Sequence, residues 1–222
     1  MYVFKEIGMD HVEIKKAIIK SQHCQRNWDL SQQIPQDDLD LIIHAATQCP
    51  SKQNIAFYKA HFLQSRDIVE QVHELTRHNS RHPLYETETN SQIMANLVIV
   101  FEENDFIPSL KTDIYRNEET QAINRKKATT DHYDALKRDK HMAVGIAAGY
   151  VNLTANILGY STGCCACFDD IGIRETLGLN GEVLLLMGVG FKDHTRNRRI
   201  HHLLPDFVFS TKVKQPIEYT VR

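Results

Sequence analysis

Residues 161–170, STGCCACFDD, place Cys164, Cys165 and Cys167 within four positions. Thiols so spaced can ligate a metal, exchange disulfides, or sit inert as small buried side chains. A structural zinc site uses a C-x₂-C pair with a second pair elsewhere. Cys164 and Cys165 are adjacent, and Cys24 and Cys49 form no second pair. Cys164 and Cys167 have redox C-x-x-C spacing. A helix opening directly after them would lower a thiolate pKa, but the following apolar periodicity predicts a helix only from about Asp170. A third use involves no sulfur: Cys165, Ala166 and Cys167 are small enough for the backbone to approach a ligand closely. Three further segments carry chemistry-bearing side chains. QHCQRNW (22–28) offers Gln22, His23, Cys24 and Arg26, and TRNRR (195–199) offers Arg196 and Arg198. Arginine forks and histidine suit a phosphate, and they equally suit a solvated loop. CPSKQN (49–54) offers Pro50, Ser51, Lys52 and Asn54, as a ligand cradle or as a helix-stopping turn. Asn90 and Gln92 are amides that can pair with a polar ring edge or cap the start of a strand.

These residues lie between elements that apolar spacing predicts. Asp10 can cap a first helix carrying Val12, Ile14, Ala17 and Ile18 to about residue 23. Pro35 opens a second helix whose Leu39, Ile42, Ile43 and Ala46 form a buried stripe, and Pro50 bounds it. FYKAHFLQS (57–65) reads as a strand, 66–78 as a helix and NLVIVFEE (96–103) as a buried strand. Residues 111–140 are polar without a continuous apolar stripe, expected as helical surface or a mobile cover. MAVGIAAGYVNLTANILG (142–159) reads as a helix buried on most faces, stopped by Gly159. The cysteine segment reads as a turn. EVLLLMGVGF (182–191) reads as a central strand, and 205–222, with two prolines, as an extended arm. Interleaved helices and strands give an α+β class.

The 222 residues are 42% hydrophobic and 24% charged, with net charge -2. No basic excess points to nucleic acid. The apolar runs fall short of the ~20 residues that span a bilayer, and the first residues lack a secretory h-region. Five cysteines is an odd count in a chain too long to need staples. The expected setting is a reducing cytoplasm with free thiols. With no repeat or linker, one domain over 1–222 is expected.

Taken in order, QHCQRNW, CPSKQN, NSQIMANLVIVF (90–101), the helix ending ANILGYSTGC and TRNRR resemble the motif series of the nitroreductase family of FMN enzymes. The resemblance touches most of the chain. It departs at Gln22 (an arginine in the family), Cys24 (a serine) and Ala56, Phe57 and Tyr58 (Gln-Pro-Trp). It implies an α+β nitroreductase-like fold, with a mainly antiparallel sheet flanked by helices in an intertwined homodimer. The arm 205–222 would reach across the partner. It further implies FMN, with NADH or NADPH as donor and a small-molecule electron acceptor such as a quinone or nitroaromatic. His23, Arg196 and Arg198 would hold the phosphate, helped by Gln22 and Cys24, and Arg26 would face the ring's pyrimidine edge. Pro50, Ser51, Lys52 and Asn54 would cradle the flavin of the neighbouring subunit. Asn90 and Gln92 would meet the ring's polar edge, and the backbone at Cys165, Ala166 and Cys167 would run along it. The alternative within enzymes is a specialised dehalogenase-like or flavin-consuming relative; those of other classes are a flavin-binding protein without catalysis and a thiol or zinc protein.

Overall fold

The computed structural model describes residues 11–76, 89–104, 130–201, 204, 206–208 and 214–221. Asp10, residues 77–78 and 111–129, and positions 205, 209–213 and 222 of the predicted arm lie outside the described residues. The elements in chain order are α1 (His11–Lys20), α2 (Gln36–Thr47), β1 (Tyr58–Leu63), α3 (Arg66–Glu74), β2 (Leu97–Glu103), α4 (Thr130–Ile157), β3 (Ser161–Cys165), α5 (Asp170–Leu177) and β4 (Val183–Gly190). Short 3₁₀ turns cover Lys52–Asn54 and Ser91–Ile93.

The sheet order is β1-β2-β4-β3, and every pairing is antiparallel. Successive strand side chains point to opposite faces, and β2 separates two cores accordingly. Leu97, Ile99 and Phe101 pack with α2 and α4, through Ile42, Ala46, Ala147 and Val151. Val98 and Val100 pack on the other face with Val69 and Val72 of α3 and Ile173 of α5. A strand buried on both faces reads as a continuous apolar run, which is why 96–103 was legible.

Two expectations change. Residues 161–165 are not a turn but β3, paired with β4 from Ser161↔Gly190 to Cys165↔Leu186. Strand propensity there is weak, with Gly163 and small side chains throughout. The long helix also begins at Thr130 rather than near residue 142, so 130–140 are helical and not part of a separate cover. Local apolar content gave no sign of those first turns, whose helical state comes from continuity with the buried part. The stop expected at Gly159 is there, with φ +98° after α4, and Gly178, with φ +66°, ends α5 in the same way.

Candidate functional site

The site assembles around the irregular segment 22–28. Lys20 at the end of α1 donates to the carbonyls of Gly159 (2.8 Å) and Tyr160 (2.9 Å), anchoring α1 to the end of α4. Asn152 of α4 donates to Ser21 O (3.0 Å) and accepts from Thr162 Oγ1 (2.5 Å). The chain then runs beside β3, where Gln25 N–H donates to Thr162 O at 2.8 Å. Alternation buries Gln25, Asn27 and Trp28 and leaves Cys24 and Arg26 half-buried, with Gln22 and His23 exposed. The buried Trp28 donates from Nε1 to Ser91 O at 2.9 Å, which fixes the 90–92 turn against the segment. Gly163 makes this convergence possible: a Cβ there would sit 2.9 Å from both Gln25 O and Gln92 Cβ. A Cβ on Gly188, its β4 neighbour, would run into Gln92 O.

The loop after β4 closes the other side. Asn27 Nδ2 donates to Asn197 O and Ile200 O, both at 2.7 Å. Arg198 Nη1 donates to Cys24 O at 3.5 Å. Arg198 thereby comes near Arg26. Burial pushes the Arg26 guanidinium below its ordinary pKa, the Cys24 thiol pulls it back up, and the like charge of Arg198 lowers it further. A like charge near a half-buried guanidinium favours an anion close to both. Arg196 stays on the exposed outside of the loop, with Asp193 4.0 Å from its Nε. Asp193 itself accepts from Thr195 N–H and Oγ1.

The cysteines do not share one site. All five are free thiols. Cys164 packs against the α2–α4 core and Cys165 against the α3–α5 core, while Cys167 is exposed. Burial pushes the Cys164 thiol up to about 12 and the Cys165 thiol to about 11. That is the reverse of what a redox thiolate needs. Cys165 instead shapes the turn: its thiol donates to Cys167 O (3.1 Å) and accepts from Cys167 N–H (3.4 Å). The Asn90 side chain, close to this thiol, holds its pKa down against burial, and it accepts Gln92 N–H at 3.1 Å. Asn90 is thus both the cap expected of it and a link from the 90–92 turn to β3. Ala166 and Cys167 follow, exposed, at the rim.

The 50–54 segment is anchored elsewhere. Lys52 Nζ pairs with the buried Asp139 of α4 at 2.5 Å, and Ser51 Oγ donates to Ile55 O at 2.8 Å. Asn54 has φ +54°, a left-handed conformation that asparagine tolerates. A cavity of about 510 Å³ opens beside this turn, lined by Cys49, Ser51, Asn54, Tyr58 and Lys59 among others. Of the sequence-predicted residues, the structure brings Cys24, Arg26, Asn90, Gln92, Cys165 and Arg198 into one neighbourhood. Pro50, Ser51, Lys52 and Asn54 form a second one. Asn27, Trp28 and Gly163 were missed as organisers. The signals available were a polar and an aromatic residue next to Arg26, and a glycine inside a strand.

The family model described as Nitroreductase family matches residues 19–191. The chain belongs to the nitroreductase family. No curated protein matches the sequence. Solved structures share the fold at low identity. A candidate nitroreductase from Exiguobacterium sibiricum, solved in complex with FMN, is 18% identical with a TM-score of 0.65, over 96% of this chain and 98% of that one. A candidate NAD(P)H:FMN oxidoreductase from Staphylococcus epidermidis is 18% identical with a TM-score of 0.62, over 93% and 95%. An FMN-dependent nitroreductase from Clostridium difficile is 16% identical with a TM-score of 0.52, over 82% and 90%. The nitroreductase fold carries the α+β architecture and antiparallel sheet that the motif order implied.

Proposed function

We propose that this nitroreductase-family chain is an FMN-dependent oxidoreductase that takes electrons from NADH or NADPH and passes them to a small acceptor such as a quinone or nitroaromatic. The observation that carries this reading is the convergence of segments 22–28, 90–92, 165–167 and 196–198 around the Arg26–Arg198 cation pair. The family match and the FMN of the Exiguobacterium relative support it. Bound flavin would supply the chemistry, accepting a hydride from the nicotinamide and reducing the second substrate in a ping-pong sequence. The chain's residues bind and tune. Arg198 would hold the phosphate through charge-assisted hydrogen bonds, with the exposed Arg196 and His23 closing on it and Gln22 and Cys24 as lesser contacts. The paired guanidiniums fit such a dianion, which would relieve their mutual repulsion. Arg26 would present fixed positive charge to the pyrimidine edge of the ring. Asn90, already turned toward Cys165, and Gln92 would line the ring's polar edge. The exposed backbone at Ala166, between Cys165 and Cys167, would run along it.

Pro50, Ser51, Lys52 and Asn54 would meet the flavin of a second copy, making the working unit a homodimer. Two exposures support this. Met142, Ile146 and Tyr150 form an apolar stripe on α4, and Ile217, Tyr219 and Val221 extend along the arm. Such surface fits burial against a partner. The free thiols fit a cytoplasmic setting. Purified protein should carry flavin absorbance at about one FMN per chain, and should oxidise NADH or NADPH faster when a quinone is added. A protein that neither retains nor rebinds FMN would overturn the reading.

A further inference from the structure

We propose that Asn27 is the positioning residue that sets Arg198 at the anion site and so gives this chain its preference for a phosphorylated flavin over an unphosphorylated one. The inference rests on the flavin reading above. Arg198 lies in a tight turn that Ile200 N–H closes onto Asn197 O at 2.9 Å, so the turn holds its own shape while its placement depends on what it is tied to. The carbonyls of those two residues bracket it, and both accept from the single amide Nδ2 of Asn27 at 2.7 Å. The side-chain orientation is forced, because an oxygen in that position would face two carbonyl oxygens. Asn27 is fully buried, and its own carbonyl accepts from Asp193 N–H (3.0 Å) and Gln25 Nε2 (2.6 Å). One residue therefore joins the start and the end of the loop to the segment that carries Cys24 and Arg26.

The electrostatics explain why a clamp is needed. Arg198 and Arg26 repel. Arg198's own bond to Cys24 O is long, at 3.5 Å. On a loose loop its guanidinium would move out to solvent, and a phosphate would have to pull it back, with the ordering entropy charged against binding. With Asn27 in place the loop is held before the anion arrives. A clamp of this kind acts on the phosphate end of the ligand and leaves the ring contacts at 90–92 and 165–167 untouched.

The test compares FMN with riboflavin, which lacks the phosphate. For Asn27→Leu, fluorescence titration of the apo-protein should show FMN affinity lowered ~10–100-fold with riboflavin affinity within about 2-fold of wild type, the size expected from losing one charge-assisted contact. Adding Arg198→Ala to Asn27→Leu should lower FMN affinity little further, because both act through one contact. Without flavin, tryptic cleavage after Arg196, Arg198 or Arg199 should speed up in Asn27→Leu while the far-ultraviolet circular dichroism stays native. Asn27→Ser, too short to reach both carbonyls, serves if the leucine variant does not fold. Retained preference for FMN, equal loss of both flavins, or failure of both variants to fold would each overturn the assignment of Asn27. Equal affinity of the wild type for FMN and riboflavin would instead sink the phosphate role of Arg198, and the cleavage rates would still decide whether Asn27 holds the loop.

Discussion

Arg196 and Arg198 sit two positions apart on one loop, yet only Arg198 reaches the 22–28 segment, through Cys24 O. Replacing both with alanine should weaken FMN binding by roughly 10²-fold or more, since each charge-assisted hydrogen bond is worth about 1.5–3 kcal/mol. Titration of the single variants should show Arg198→Ala carrying most of the loss. The cysteines should behave in the opposite way. Changing Cys164, Cys165 and Cys167 together to alanine should leave FMN bound, because the Cys164 and Cys165 side chains pack into cores on opposite faces of β3 and the three sulfurs form no common cluster. The stability lost should be about 1 kcal/mol per buried thiol, with Cys165→Ala the largest single step because its sulfur bonds both backbone groups of Cys167. Ala166→Leu should harm FMN retention more than the triple change, by filling the rim with side chain. The checks are FMN stoichiometry and urea midpoints. A triple variant that keeps its fold and FMN but loses all NAD(P)H oxidation would restore a chemical role to the sulfurs.

At the scale of elements, the central strands carry one charge that stability depends on. Glu102 of β2 is buried, and its carboxylate accepts from Gly181 N–H (2.8 Å) and Asn180 N–H (3.0 Å), meets His61 Nε2 (2.8 Å) and pairs with Lys59 (3.4 Å). Burial alone would raise its pKa. The Gly181, His61 and Asn180 hydrogen bonds and the Lys59 charge outweigh that and hold it at about 2 against an ordinary 4.5. A carboxylate depressed in the fold contributes stability that is fully present above its unfolded pKa and is lost as pH falls through the folded one. The window is therefore between pH 4.5 and 2, and the linked amount is about 3 kcal/mol. Unfolding curves of Glu102→Gln should lose stability at pH 7 and flatten across that window; an unchanged pH profile would refute the linkage. The edge strand β3 makes a different prediction. Gly163→Ala places a Cβ 2.9 Å from Gln25 O and Gln92 Cβ, so the two site segments must separate. The cost should be about 1–3 kcal/mol, read by thermal unfolding, and FMN affinity should fall with it although no ligand contact is removed.

For the whole molecule, the homodimer is part of the proposal, with 50–54, held to α4 through Lys52–Asp139, meeting the flavin of a second copy. Sedimentation should show one dimeric species. Ile146→Asp, on the exposed face of α4, should shift it toward monomer and release FMN together with the dimer; a stable monomer that holds FMN would contradict the intertwined arrangement. Much of this architecture was legible in the chain itself. The β2 run, the apolar stripe of α2, the stop at Gly159 and the ordered motifs specify the class and family, because burial writes apolar periodicity and special backbone angles into local sequence. The tertiary structure alone decided the rest. STGCC carries no strand signal, and it becomes β3 because β4 lies alongside to pair with it. Nothing near Cys164 and Cys165 says that their sulfurs face opposite cores. Asn27 and Asn197 are 170 residues apart in sequence, and their hydrogen bond exists only once the sheet has brought both ends of the chain together. Local composition records which face of an element is buried, but not what it is buried against, and a site built from segments at opposite ends of the chain depends on that second fact.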